Sequence, residues 1–330
     1  MDKEISALGG NRWNNAKAGF TGALRTNLGV LIAFLALFLL ASVSSVKFLT
    51  FDNQMSVLRN IATNSLCAFA MTFVILTGGI DLSVGAFMSL GGCLATVLIA
   101  WFAFPAPLAV GLALLAGLLF GAMNGAMITK LQMPPFIVTL ASMNILRGIS
   151  YIITGGRPVL LSSTFFQKIG AGFVGAIPLP AIYLVIAFVL LWILLNRTKF
   201  GRHIYAVGGN TVAAQYSGIN TDRTVFVAYV LTGLFSAFAG IILSSRLNSG
   251  QPTIGQGAEL DAISSCIVGG VSVVGGSGTL MGTLLGCLII GIISNMLNLI
   301  GVDTFVQLVI KGIVIIVSVY IDAHRKHVKV

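Results

Sequence analysis

Charge is what this sequence has least of. Only 8% of its 330 residues are charged, with nine Asp and Glu against 19 Lys and Arg, where a soluble domain carries about 25%. So few charges cannot cover a water-facing surface, whereas an exterior set in lipid needs almost none. Histidine is nearly absent too. The three present, His203, His324 and His327, all fall outside the apolar runs, which argues against a metal centre or histidine proton relay inside the membrane. The four cysteines (Cys67, Cys93, Cys266, Cys287) are singletons within apolar segments. None forms a CxxC pair, so they read as small core residues, neither ligands nor bridges. Gly is never followed by Lys, so no Walker-type phosphate loop exists. No HExxH, and no GxSxG or GxGxxG in a strand–helix context, is present either. No residue is assigned a catalytic role, and no metal site is expected.

What the chain has in abundance is apolar sequence: 57% hydrophobic residues and a mean hydropathy of +1.00. A helix needs roughly 20 apolar residues to cross the hydrocarbon core. The runs 28–46, 57–76, 82–103, 106–128, 135–154, 177–195, 224–244, 279–299 and 304–321 meet that need. A weaker run, 260–275, is short and rich in Gly. The expected fold is therefore all-α, a polytopic membrane protein of nine or ten transmembrane helices. Positive charge decides between the counts. With ten spans and both termini in the cytoplasm, twelve Lys and Arg lie inside and five outside (Lys47, Arg59, Arg157, Lys168, Arg246), leaving Arg147 and Lys311 within the membrane. Nine spans would export the basic tail from His324 to His327, against the positive-inside rule. Ten spans are expected. The polar stretch before the first run is too long for a signal-peptide n-region, so that run is expected to remain as a helix. The net charge of +10 reflects orientation in the membrane. No basic stripe interleaved with stacking aromatics suggests nucleic acid.

Organisation follows from these spans: a cytoplasmic tail 1–27, a membrane domain 28–322 and a basic tail 323–330. The longest inside loop, 196–223, holds four of the twelve inside positive charges. The outside stretch 244–260 reads as an exposed turn. Gly111, Gly117, Gly121 and Gly125 sit at helical spacing, suited to close helix packing. A faint echo between GGIDLSVGAF (78–87) and GGSGTLMGTL (275–284) suggests duplicated, inverted halves. Intramembrane acids, the usual mark of ion coupling, are few. Asp81 stands where an N-cap for the third span belongs, Glu259, Asp261 and Asp303 lie at boundaries, and Lys311 is explained by snorkelling or by an acidic partner. A transport body with neither an ATP site nor an ion-coupling chain implies a driving force supplied by another protein, for which the inside loop is the natural dock. The alternative is an ion-coupled secondary carrier of a small polar solute.

Five blocks, in order, carry a resemblance: ILTGGIDLSVGAFMSLGG (75–92), PPFIVTLASMNILRGISYIITGGRPV (134–159), FGRHIYAVGGNTVAAQYSGI (200–219), SGQPTIGQGAELDAISSCIVGGVSVVGGSGTLMGTLLGCLIIG (249–291) and SNMLNLIGVDTFVQLVIKGIVIIVSVYID (294–322). They resemble the permease subunits of bacterial ABC sugar importers of the ribose, xylose and galactose group. The resemblance implies a protein of the bacterial inner membrane that carries a monosaccharide by alternating access. It implies a second permease chain, a cytoplasmic ATPase that binds ATP and Mg in place of this chain, and an extracytoplasmic sugar-binding protein. It also implies an ATPase-coupling segment that here carries Gly201, Arg202, Tyr205, Gly208, Gly209, Asn210 and Gly218. Asp81, Ser83 and Asn124 are candidates for the pathway, and Gln251, Glu259 and Asp261 for the face toward the binding protein. Positions 1–27 have no counterpart in the resemblance.

Overall fold

The computed structural model describes residues 27–327. The expectations for the tail 1–27 therefore lie, up to residue 26, outside the described residues, and of the basic tail 323–330 only the backbone of 323–327 enters, as the end of the final helix. Thirteen helices order themselves along the described chain. They are α1 (Leu28–Ser44), α2 (Phe51–Leu76), α3 (Val84–Ala100), α4 (Ala106–Thr129), α5 (Pro135–Thr154), α6 (Thr164–Ala171), α7 (Leu179–Arg197), α8 (Lys199–Gly209), α9 (Thr211–Tyr216), α10 (Thr221–Leu247), α11 (Ala258–Val268), α12 (Leu280–Leu299) and α13 (Thr304–His327). Two short antiparallel pairs complete the described structure: β1 (Val159–Leu160) with β4 (Ser249–Gly250), and the hairpin of β2 (Phe173–Val174) and β3 (Ile177–Pro178).

Six of these helices, α2, α4, α5, α7, α10 and α12, are long and apolar enough to cross a membrane. They coincide with expected spans, and their ends follow local chemistry. Prolines open α4, α5 and α7, where the missing N–H costs nothing. Side chains of Asn220 and Thr279 accept backbone N–H bonds at the starts of α10 and α12 (2.8 and 3.0 Å). The helix α2 starts at Phe51, ahead of the apolar run at 57. Its polar first turn is anchored, since the Asn53 and Gln54 amides donate to the Phe48 carbonyl at 2.9 and 2.6 Å.

The core is laid against α10, which packs on α4, α3 and α2. Glycine makes the α4 contact close. A Cβ at Gly117, Gly121 or Gly125 would stand 2.7, 2.7 and 2.9 Å from the backbone oxygens of Gly233, Tyr229 and Phe226, the small-residue packing of membrane helices. Gly111 of the same series faces open space and takes no part.

Two segments break the helical pattern inside this core. The chain from 77 to 83 is not helical, and α3 that follows has only 17 residues, about 25 Å of helix. The expected weak span 260–275 is helical only over the 11 residues of α11, about 16 Å, and continues as a glycine-rich turn to α12. The stretch 244–260, expected as an exposed turn, differs from that expectation. Its first residues extend α10 to Leu247, and Pro252 and Ile254 are buried. Apolar side chains and the half-buried Arg147 hold it in the body.

Candidate functional site

The first break is organised by four buried polar side chains. Asp81 Oδ1 accepts the Ser83 backbone N–H at 2.8 Å and the Ser83 hydroxyl. Asn124 of α4 donates to Ser83 Oγ at 3.1 Å, and Ser142 of α5 donates to Asn124 Oδ1. The sequence-derived trio Asp81, Ser83 and Asn124 is thus brought together, and all three are fully buried. Asp81 is not the cap of α3. Ser83 occupies that position without a side-chain capping bond, and Asp81 holds the turn two residues earlier. The Ile80 carbonyl, freed by the break, accepts the Tyr229 hydroxyl of α10 at 3.3 Å. Irregular backbone at membrane depth needs such protein partners. Asp81 Oδ2 remains buried without a hydrogen bond.

The segment that leads into α11 lies alongside the start of α3, where a Cβ at Gly85 would overlap the Gly255 carbonyl. Arg147 Nη1 on α5 donates to the carbonyls of Pro252 and Ile254, both at 2.7 Å. Ser89 of α3 donates to the Pro252 carbonyl at 2.8 Å. The residues expected to face a binding protein are therefore set around a segment clasped between α3 and α5. Gln251 is half-buried at its start. Glu259, in the first turn of α11, turns its Oε2 toward Gly85 and leaves it buried and unbonded. Asp261, two residues on, pairs with Lys311 of α13 at 2.9 Å. Of the two explanations open for Lys311, snorkelling or an acidic partner, the structure has the acidic partner.

At the far end of α2 lies the element that the sequence marks as the inside loop. It folds as α8 and α9. Thr198 accepts the Gly201 N–H at 3.3 Å, and a Cβ at Gly201 would overlap the Leu195 carbonyl, so glycine permits the turn out of α7. Gly208 lies within α8 and makes no turn. It lets the helix touch the Leu76 carbonyl at the end of α2 and the Gly276 amide. Gly276 N–H itself donates to Leu76 O at 3.0 Å. The Tyr205 hydroxyl donates to Gly278 O at 2.8 Å, and burial pushes its phenol pKa up, keeping the proton on the donor. The two echoing sequences meet here: a Cβ at Gly275 would stand 2.9 Å from the Gly78 nitrogen. Arg202, Gly209 and Asn210 are exposed. Asn210 caps α9 by accepting the Ala213 N–H at 2.9 Å, and Gly218 turns the chain toward α10 at φ 78°. Val212 and Tyr216 of α9 are 60% and 91% exposed, an apolar and aromatic surface.

Sequence reasoning missed the polar face formed by α2, α10, α12 and α13. Arg246 donates to Asn60 Oδ1 at 2.8 Å, and Asn53 and Asn295 exchange bonds of 3.1 and 2.8 Å. The signal was available as asparagines recurring inside apolar runs, at 60, 64, 295 and 298.

A helical body with broken helices meeting in its core, and a glycine-packed helix pair bonded to the break at 77–83, is the build of a membrane permease. The chain belongs to the permease family described as "branched-chain amino acid transport system / permease component", whose model matches residues 53–319. It is 48% identical over 308 residues to the ribose import permease protein of Bacillus subtilis, covering 93% of this chain and 95% of that one. It is 40% identical over 311 residues to the ribose import permease protein of Escherichia coli K12, covering 93% and 97%. To the xylose transport system permease protein of the same strain the identity is 34% over 373 aligned positions, covering 93% and 95%. No solved structure matches the chain.

Proposed function

We propose that this chain is the membrane-spanning subunit of an ATP-binding-cassette importer of the bacterial inner membrane and carries ribose or a related monosaccharide. The observation that carries this is the 48% identity, over 93% of the chain, to a ribose import permease. In this reading two copies, or this chain and a close paralogue, enclose the pathway. A cytoplasmic ATPase supplies ATP and Mg, and an extracytoplasmic binding protein supplies the sugar.

Ten crossings with both ends inside agree with the charge distribution and with α11 as a partly helical crossing finished by the glycine turn. The α8 end then faces the cytoplasm. Arg202, Val212 and Tyr216 form the exposed surface available to an ATPase. Motion of α8 is passed on at Gly208, which touches the ends of both breaks. Segments 77–83 and 269–279 interrupt the helices of the core, so they can repack as the body rocks between inward- and outward-open forms. Arg147 and Lys311 do not need an ion-coupling role, because each is already held by protein oxygens.

The test is reconstitution of the complete importer in proteoliposomes without ion gradients. Labelled D-ribose should be taken up only when ATP reaches the ATPase subunit, and L-leucine should not be. Uptake by this chain alone, driven by a proton or sodium gradient, would establish the secondary carrier in its place.

A further inference from the structure

A cavity of about 210 Å³ opens between α2, α10, α11, α12 and α13. Four of its twelve lining residues are asparagines: Asn60 and Asn64 from the middle of α2, and Asn295 and Asn298 from the last turns of α12. Asn60 and Asn298 are exposed. A polar side chain in a span is costly against lipid and belongs on a wet or protein-covered surface. Four amides gathered from two helices around one opening are therefore a water-accessible recess and not a lipid face.

The chemistry of the recess selects its occupant. Amides both donate and accept, which matches hydroxyl groups that do the same. The carboxylate in the lining, Asp261, is taken by Lys311 at 2.9 Å, so none is left to hold an ammonium group. Arg246 is directed at Asn60 by its 2.8 Å bond and so acts as part of the amide array. Val57 and Leu243 add apolar surface that suits the C–H faces of a ring. We infer that this cavity is a substrate subsite within a single permease chain that binds a neutral polyhydroxylated solute, a monosaccharide, through Asn60, Asn64, Asn295 and Asn298. The inference rests on the sugar-importer reading and adds where the sugar is held. Lys311 and Asp261 serve as the wall that neutralises the site, and α13, which carries Lys311, can open or close it by moving against α11.

The buried native cysteines make thiol labelling a clean test. Asn64→Cys, in the recess, and Asn298→Cys, at its mouth, are prepared in the complete importer in nanodiscs and treated with a water-soluble maleimide. Leu160→Cys, 77% exposed on β1 and away from the recess, is the control. The expected result is labelling of all three, with millimolar D-ribose slowing the first two at least 3-fold and leaving the control unchanged, while L-leucine slows none. Failure of the maleimide to reach Asn298→Cys in an assembled importer overturns the inference. So does labelling that ribose leaves unchanged while the unsubstituted importer still takes ribose up; in that case the sugar-importer reading stands and the subsite falls. Protection by L-leucine and not by ribose overturns both together. Should Asn64→Cys fail to assemble, the exposed Asn298→Cys decides the matter alone.

Discussion

Gly208 of α8 rests against the carbonyl oxygen of Leu76, the last residue of α2, so closely that a Cβ at position 208 would overlap it. The same carbonyl accepts the Gly276 N–H at 3.0 Å. One backbone oxygen thus joins a peripheral helix to the ends of two interrupted segments of the core.

This contact predicts a contrast between adjacent glycines. Gly208→Val forces α8 away from α2 and should destabilise the chain by about 1–3 kcal/mol, the usual range for overpacking, with a several-fold fall in uptake. A Cβ at Gly209 meets nothing within 4 Å, so Gly209→Ala should stay within about 0.5 kcal/mol of the parent. Thermal unfolding in detergent, with uptake measured in parallel, checks both. Equal behaviour of the two variants would remove the contact from the mechanism.

Arg202 and Tyr216 are exposed, so changing them should spare the fold. Arg202→Glu and Tyr216→Ala are expected to keep the parent melting temperature while reducing co-purification of the ATPase by 10-fold or more, a loss of about 1.4 kcal/mol. Normal ATPase recovery and normal uptake in both would show that the coupling surface lies elsewhere.

The network around Asp81 predicts that its acceptor geometry matters more than its charge. Asp81→Asn keeps an oxygen for the Ser83 N–H now bonded at 2.8 Å, and ATP-driven uptake should persist. Asp81→Ala leaves that buried donor unpaired and Asn124→Leu leaves the Ser142 hydroxyl without its acceptor, each costing about 1–3 kcal/mol. If Asp81→Asn abolishes uptake in a stable, assembled importer, the charge itself takes part in transport and ion coupling returns to consideration.

The Asp261–Lys311 pair is 18% and 27% exposed, too enclosed to behave as a surface ion pair. Asp261→Asn and Lys311→Met should each destabilise, and the double variant should recover part of the loss. The coupling energy expected for neighbours in one network is about 0.5–3 kcal/mol, read from a double-mutant cycle of denaturation midpoints. Additive single effects would mean that the pair contributes nothing specific.

Much of the helical plan was legible because hydrophobic run length is a one-dimensional property. The run 135–154 became α5 residue for residue, and the prolines and caps that end helices act within a few residues. The breaks were less legible. Composition places glycines at 78–79, 208–209 and 275–276 but does not say that the three pairs meet. The echo between 78–87 and 275–284 hinted at related roles without revealing contact. Asp81 was read as the cap of α3 and instead holds the turn before it, since an Asx-type bond to residue 83 and a helix cap look alike in sequence. Asn60, Asn64, Asn295 and Asn298 escaped notice because each alone is an ordinary polar interruption, and the recess exists only once α2 and α12 lie side by side.

Sequence alone determined that this chain belongs in a bilayer and where its long apolar runs lie. These conclusions depend on side-chain transfer between water and lipid, which sums along the chain. Tertiary structure alone decided that Lys311 meets Asp261, that Arg147 clasps the carbonyls of 252 and 254, and that Gly208 is a contact in a helix and not a turn. Those are relations between residues far apart in the chain, and close packing of the helices around α10 is what brings them within bonding distance.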